Sequence, residues 1–572
     1  MFLFFKKRIY YILFFLLISS NICFAQAVPG AAKAGQVEKD LDRAEKKFKK
    51  EPATSPIEVE IPKEELAIPD GKKIFVKSFD FRQNTIFKTG YLKKITKKYT
   101  NKELSLQELK GVCNLINDAY KRRGYFLARA YLPVQDIKDG IIIIEIIEGR
   151  LGEIKVEGNE FYKKKFLINH FRPTYKGVIH YNRLLKTLLV LDDYPDLEVK
   201  AILQKGAKPY TTDLILKISD KFPVHFGIDY NNFGSRYVSR QRAGATFEYS
   251  NAVLQGDKIY LRGVSGSPER NLKFAYADYS LPIDSFGSRL SFNYTWSDFN
   301  VRREFRALDA GGQSKIYSTE LSHPLIRTLT ATSDFKFGFD YKQMKNYLLG
   351  AVSNDDELRV FKTSLSGDFV DSFQGRNYYS LMVSGGVPNI MGGLKKRDDP
   401  RASRVGAGGE FVKGNIDFAR FQQFFFGTNF LIKGSLQTAS RVLTVPEQFS
   451  IGGADTVRGF PESEHLGDYG YCATFEWRFP LPFIADANIP LFKRTYRDTI
   501  QFLGFVDYGK TFLRNPQAGE SKHDEITGVG FGTRLNFGND FTFRVDVGYP
   551  VGGDDSSDGA KSAVYLQALK RF

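Results

Sequence analysis

From about residue 222 to residue 572, apolar and polar residues alternate one by one, the two-residue period of β-strands with unlike faces. In Ser288–Trp296, Leu290, Phe292, Tyr294 and Trp296 share one face, and Ser291, Asn293 and Thr295 the other. Phe541–Val547 sets Thr542, Arg544 and Asp546 opposite four apolar residues. Charges on the second face fit a water-filled lumen better than a packed core. At about 22 residues per strand and connection, the segment 222–572 holds roughly 16 strands, which predicts a mainly β, 16-stranded antiparallel transmembrane β-barrel. Short connections such as Leu281–Asp284 and Phe479–Pro482 alternate with longer polar ones, Asn354–Glu357, Gly392–Arg401 and Gly552–Lys561. That asymmetry predicts short periplasmic turns and long external loops.

Before the barrel the rhythm changes to strands interleaved with helices, twice over. Residues 73–148 read as a first small α/β unit. Lys73–Phe81 alternates as one strand, and Ser105 with Glu108 forms a capping box at the head of a helix carrying Leu106, Leu109, Cys113, Ile116 and Tyr120. Gly124 stops that helix, Phe126–Pro133 follows as a strand, and a turn at Lys138-Asp139-Gly140 leads into Ile141–Gly149. Residues 149–221 repeat the order: a strand and turn over Gly152–Asn159, helices around Phe166–Phe171 and Tyr181–Leu191, then a hairpin of Leu197–Gly206 with Thr211–Ser219. Two tandem copies of one unit point to docking modules rather than an active site.

Met1–Ala25 has the charged start (Lys6, Lys7, Arg8), the apolar core (Ile9–Ile18) and the small-residue end of a secretory signal peptide. Ile22, before Cys23, is too large for lipoprotein processing. Over residues 26–72 a narrow stripe of Val37, Leu41, Ala44 and Phe48 marks a highly charged helix at about 35–50, followed by a proline-spaced tether. Such a helix is either disordered or lies in a polar cavity.

Composition sharpens this picture. There are 51 Phe, 30 Tyr and 51 Gly against 2 Trp, 4 Met and 3 Cys, and no internal apolar run reaches the about 18 residues of a spanning helix. The net charge of +17 suits a basic surface facing anionic lipid or an acidic client; an exported chain does not routinely meet nucleic acid, so no nucleic-acid partner is expected. Cys113 and Cys472 are lone thiols in different domains and read as packing residues. There is no phosphate-binding Gly-x-x-x-x-Gly-Lys-Ser/Thr motif, no nucleophile–base pair and no metal-ligand cluster, and the six histidines are scattered. The expectation is therefore no catalytic residue, no metal, no cofactor, no nucleotide, and no enzyme.

The most unusual stretch is Gln448–Phe460, QFSIGGADTVRGF. Gly452, Gly453 and Gly459 make it a loop, yet it ends by setting Arg458 between Val457 and a Gly-aromatic pair. That suits a loop tip that docks, and Asp507 is the candidate partner. In Gln501–Asp507, Gln501, Leu503, Phe505 and Asp507 share a face, and a carboxylate on the lipid face would be costly, so Asp507 should point inward.

Together, the export signal, the two tandem units, the barrel and this loop resemble the outer-membrane transporters of two-partner secretion (TpsB type). The resemblance covers essentially the whole chain. It rests on Arg123–Gly149 with Pro133 and Gln135 in a P-x-Q element, on Tyr230–Ser235 (YNNFGS), on the VRGF loop and on Gly504–Gly509 (GFVDYG). A weaker match is the turn at Tyr279–Pro282. The resemblance implies that the two units are polypeptide-transport-associated (POTRA) domains in the periplasm of a Gram-negative cell, below a barrel in the outer membrane. It implies that Val457, Arg458, Gly459 and Phe460 anchor the loop in the lumen against Phe505 and Asp507. It further implies that Tyr131, Pro133 and Gln135 mark a client-binding region, and that the 35–50 helix, with Val37, Leu41 and Phe48, plugs the pore. The partners it implies are a large secreted client in extended form and outer-membrane lipid. Assembly factors that insert other proteins into the outer membrane share the loop and the POTRA units, and remain the alternative.

Overall fold

A computed structural model describes residue 33 and residues 56–59, 73–137, 139–171, 177–267, 270–481, 484–489, 494–538 and 540–572. The signal-peptide expectation and the helix at 35–50, with Val37, Leu41 and Phe48, lie outside the described residues. After a short strand β1 (Ile57–Val59), the first unit contains β2 (Ile74–Val76), β3 (Ser78–Arg82), α1 (Thr89–Thr96), β4 (Lys102–Leu104), α2 (Leu106–Arg122), β5 (Arg129–Tyr131) and β6 (Ile141–Ile147). The second contains β7 (Arg150–Glu157), α3 (Lys164–Asn169), α4 (Tyr181–Asp192), β8 (Leu197–Lys205) and β9 (Thr211–Asp220).

Lys73–Phe81 is not one strand as expected. β2 pairs with β4, β3 pairs with β6, and the chain breaks at Lys77. Val76, Phe79 and Phe81 are all buried. An unbroken strand would send Val76 to the face opposite Phe79 and Phe81; the break, held by Lys77 N–H donating to the Gly140 carbonyl at 2.8 Å, turns all three to the core. β5 is also shorter than the predicted Phe126–Pro133. The capping box of α2 forms as expected, with Glu108 N–H donating to Ser105 Oγ at 3.2 Å and Ser105 N–H to Glu108 Oε2 at 2.7 Å.

The two units share a device that the sequence rhythm did not reveal. At the end of each central strand a carboxylate ties down the loop after the first strand. Glu148 accepts from Thr85 N–H (2.8 Å) and Ile86 N–H (2.9 Å), and Asp220 accepts from Phe161 and Tyr162 N–H (both 2.8 Å). The units are joined rigidly, because Leu127 and Phe126, just past α2, pack in the second unit's core.

From Val224 onward, sixteen antiparallel strands close into a barrel among the described residues, the first (Val224–Asn231) pairing with the last (Ala563–Arg571). Because β9 hands directly into the first strand, odd-numbered strands start, and even-numbered strands end, on the side of the two units. Large apolar residues such as Phe292, Tyr317, Phe361, Ile416 and Trp477 are exposed on the outside, whereas Asp229, Arg262, Glu476, Asp507 and Asp546 are buried. That is a water-soluble protein turned inside out, and it matches lipid outside and a polar lumen. No described helix is long and apolar enough to cross a membrane.

Two connections differ from expectation. Asn354–Glu357 is not a loop but part of the eighth strand (Ala351–Val370), where the ladder to the seventh (Ala331–Leu348) continues as a projecting hairpin. Phe479–Pro482 is not a short turn: the twelfth strand ends at Pro480 and the next begins only at Ile500, after a short helix Tyr496–Thr499. The second unit is fastened to the barrel rim by Arg327, whose guanidinium reaches Asp193 at 2.5 Å and Asp334 at 2.6 Å, and by Asp196, which accepts from Ser250 Oγ at 2.9 Å.

Candidate functional site: a loop anchored on the inner wall

The loop between the eleventh strand (Asn429–Ala439) and the twelfth (Tyr469–Pro480) turns back into the barrel. Its arms, Phe449–Ile451 and His465–Gly467, pair as a small ribbon. From Val442 to Phe460 every residue except Asp455 is buried. Phe449, Ile451, Val457 and Phe460 form its apolar underside, packed with Ile526 of the wall.

Arg458 crosses from that loop to the wall. Its Nε donates to Asp507 Oδ2 at 2.7 Å and its Nη2 to Asp507 Oδ1 at 2.9 Å, a two-pronged contact, and its backbone N–H adds a third bond to Oδ2 at 3.1 Å. Nη1 turns to Glu476 at 2.8 Å, and Asp546 stands 3.5 Å away. The guanidinium lies 3.4 Å from the centroid of the Phe505 ring, flat apolar packing on a cation already satisfied at its edges. Burial alone would disfavour the charged form, but the hydrogen bond and charge of Asp507, with Glu476 and Asp546, outweigh it and hold Arg458 firmly protonated.

The contact belongs to a network of charges. Arg478 pairs with Glu476 at 2.6 Å, Arg534 with Asp546 at 2.5 Å, and Arg544 with Asp546 at 2.7 Å and with Asp455 at 3.1 Å. Four arginines thus face four carboxylates, of which Arg458, Glu476, Asp507 and Asp546 are buried and the others half-buried, and Lys433 lies within electrostatic reach of Glu476 and Asp455. Such pairs are held by mutual satisfaction, and removing one partner strands another.

Backbone geometry allows the close approach. Gly459 has φ +106°, and a Cβ there would lie 2.9 Å from the Tyr549 carbonyl carbon. On the wall, a Cβ at Gly528 would stand 1.8 Å from the Arg458 carbonyl oxygen. Tyr565 of the last strand clamps the same stretch: its hydroxyl accepts from Gly459 N–H at 3.1 Å and donates to the Phe460 carbonyl at 2.6 Å. Glu476 and Tyr565 were not singled out from sequence. The alternation Thr474-Phe475-Glu476-Trp477-Arg478 could have turned Glu476 inward by the parity argument used for Asp507; nothing in the last strand marks Tyr565.

The other sequence-predicted residues lie in the first unit, away from this loop. Gln135 spends its amide on backbone, Nε2 donating to the Ile143 carbonyl at 2.9 Å and Oε1 accepting from Ile143 N–H at 2.7 Å. It thereby continues the β6 edge where β5 has ended. Tyr131 hydrogen-bonds Glu145, and Pro133 is half-buried beside the fully exposed Val134.

Among the described residues one group has metal-ligand chemistry, His465, Asp524 and Asp554. The carboxylates face different ring nitrogens, Asp524 at 3.5 Å from Nδ1 and Asp554 at 3.9 Å from Nε2. That geometry fits an imidazolium bridging two carboxylates better than three ligands converging on one ion. Lys33, from the N-terminal stretch, feels the charges of Asp356, Glu520 and Arg404 at the far end of the barrel; burial lowers its pKa against the raising pull of the two acids.

Comparisons with known proteins bear on the family and the fold. Residues 211–535, more than half the chain, match the family described as haemolysin secretion/activation protein ShlB/FhaC/HecB, and residues 74–149 match its ShlB-type POTRA domain. The chain is 25% identical over 500 residues to a heme/hemopexin transporter protein, HuxB, of Haemophilus influenzae, covering 86% of each. It is 22% identical over 477 residues to an outer membrane transporter, CdiB, of Dickeya dadantii, covering 80% of this chain and 79% of that one. In fold it resembles the structure of CdiB from Escherichia coli, with a TM-score of 0.71 at 19% identity over 89% of this chain and 93% of that one. A structure of BamA from Haemophilus ducreyi lacking POTRA domains 1–3 is similar in fold at a TM-score of 0.51 and 14% identity, covering 88% of this chain and 100% of that one. A closed barrel in the outer membrane, periplasmic POTRA units and a wall-anchored loop are its parts, and the chain belongs to the haemolysin secretion/activation (ShlB/FhaC/HecB) family, the outer-membrane transporters of two-partner secretion.

Proposed function

We propose that this chain exports one large partner protein of haemolysin or adhesin type, taking it up unfolded in the periplasm and passing it through the lumen in extended form. The observation that most supports extended uptake is at the edge of the second unit. β1 lies parallel on β8, Ile57 opposite Ala201 and Val59 opposite Leu203, with Ala201 N–H donating to the Pro56 carbonyl at 2.7 Å. An exposed sheet edge that accepts an extended segment through backbone bonds reads many sequences alike. A client strand would take the place of these three residues. Tyr131, Pro133 and Gln135 border the corresponding edge of the first unit and would serve the client there.

Two ends of the segment support the plug reading. Lys33 is within electrostatic range of Asp356 and Glu520 at the extracellular end, and Pro56 pairs with the second unit at the periplasmic end. The 23 residue steps between them reach about 35 Å even at helical rise, enough to traverse the roughly 25 Å apolar band of a barrel. The anchor Val457–Phe460, held by Phe505 and Asp507, keeps the loop in the lumen, and freeing it requires several buried ion pairs to open together.

Co-expression with the large exported protein encoded beside this chain tests the reading. Partner reaching the medium or cell surface only when the chain is present supports it. Partner retained inside the cell, together with loss of other outer-membrane barrels when the chain is removed, would favour the insertase alternative instead.

A further inference from the structure

The connection between the tenth strand (Phe411–Gln423) and the eleventh is built from Phe424, Phe425, Phe426, Gly427 and Thr428, at the periplasmic rim. The three phenylalanines are 48%, 68% and 84% exposed, and Phe373 of the adjacent turn is 77% exposed. The turn is nevertheless fixed. Phe424 N–H donates to the Thr428 carbonyl at 2.8 Å, Thr428 Oγ1 to the Phe425 carbonyl at 3.0 Å, and Arg497 Nη1 to the Phe426 carbonyl at 3.3 Å. Gln422 Nε2 ties the neighbouring turn to it through the Phe373 carbonyl at 3.0 Å.

Two features argue that protein packing does not account for this turn. Phe426 holds φ +58°, a left-handed conformation that non-glycine residues rarely adopt. And the rings bury little against the protein, so an apolar patch of this kind marks a contact with something else. Its neighbours say what. The Phe424 ring lies 5.2 Å from Phe430, and Phe430 stacks at 5.4 Å on Phe475 and 6.1 Å on Trp477. Phe475 and Trp477 point outward from the barrel wall, 43% and 50% exposed, so the patch continues the lipid-facing belt and not the lumen. Second-unit contacts fall on the first strand and on turns as far as the one holding Arg327, leaving the 424–428 turn on the part of the rim away from them.

We propose that the 424–427 turn, with Phe373, inserts into the periplasmic leaflet at the boundary of headgroups and acyl chains, anchoring the rim on the side away from the second POTRA unit. Aromatic rings favour that boundary, and Arg497, itself held by Asp486 through Nε at 2.8 Å and Nη2 at 2.9 Å, fixes the base of the turn. The anchor opposes tilting of the barrel when load is applied to the POTRA side.

The test uses the full chain in phosphatidylcholine vesicles. Trp296→Phe and Trp477→Phe remove the native indoles, and Phe425→Trp supplies a single reporter; heat-modifiable migration in gels verifies that the barrel is folded. Lipids brominated just below the glycerol should quench most of the emission, lipids brominated near the chain ends much less, and aqueous iodide little. Strong iodide quenching with no bromine effect would overturn the proposal, as would protection that arises only when an unfolded polypeptide is added, which would make the patch a client surface. Replacing Phe424, Phe425 and Phe426 together by Ser should slow insertion of the folded chain into vesicles; an unchanged rate would also count against it.

Discussion

Arg458 and Asp507, 49 residues apart, meet inside the barrel through three hydrogen bonds, two from the guanidinium and one from the backbone. Neither side chain is exposed enough for water to replace its partner. Arg458→Ala therefore leaves Asp507 and Glu476 short of a cation, at a cost of about 3–5 kcal/mol. Sixteen strands of backbone ladder remain, so the variant should reach the membrane at normal levels while export falls sharply. Asp507→Ala should behave alike, and the double variant should be little worse than either single one, because they break one unit. Normal export by Arg458→Ala at normal surface levels would sink the role given to the anchor.

The wall opposite the loop must be smooth. Gly528→Ala puts a methyl against the Arg458 carbonyl, whereas at Gly434 the nearest atom to a new Cβ is 3.9 Å away. The first substitution should displace the loop and increase protease cutting within 448–460, and Gly434→Ala should leave both export and cleavage as they were. Equal behaviour of the two would show that the approach is not tight.

His465 links the loop ribbon to the wall and to the following external loop through Asp524 and Asp554. Burial alone would lower its pKa, but the hydrogen bond to Asp524 and the charges of Asp524, Glu464 and Asp554 outweigh burial and raise it. The cationic form is the one that bridges, so its stabilisation is complete below the unfolded value of about 6.5 and fades as pH rises through the higher folded value. Thermal melting of His465→Gln against the parent should show a gap at about pH 6 that closes towards pH 9. A gap independent of pH would mean that shape, not charge, is what His465 contributes.

Gln135 makes two bonds to one backbone residue of β6. Gln135→Ala should leave the Ile143 amide open, costing about 1–3 kcal/mol locally. Hydrogen exchange at Ile143 should speed up while exchange in β9 of the second unit stays unchanged. No change at Ile143 would show that the two bonds are not what protects that amide.

Periodicity made the architecture readable because each barrel strand has one lipid face and one polar face: Leu290, Phe292, Tyr294 and Trp296 announce their strand without any partner being known. The same parity turned Asp507 inward, and the VRGF tetrapeptide supplied its cation. What stayed hidden depends on contacts distant in sequence. Tyr565 clamps Gly459 across 106 residues, and no local pattern records that. The break at Lys77 escaped because the strand Lys73–Phe81 alternates well enough on either side, and only burial of Val76 together with Phe79 forces the turn. The long connection after Pro480 was hidden behind two prolines that read as a tight turn.

The most direct measurement is translocation by the purified chain alone. The chain is reconstituted in lipid vesicles with the POTRA units outside, the unfolded partner is added outside, and protease is then applied. The partner should become protected inside vesicles carrying the native chain, and stay exposed with empty vesicles or with Arg458→Ala. No protection by the native chain, or equal protection by the variant, would contradict that expectation.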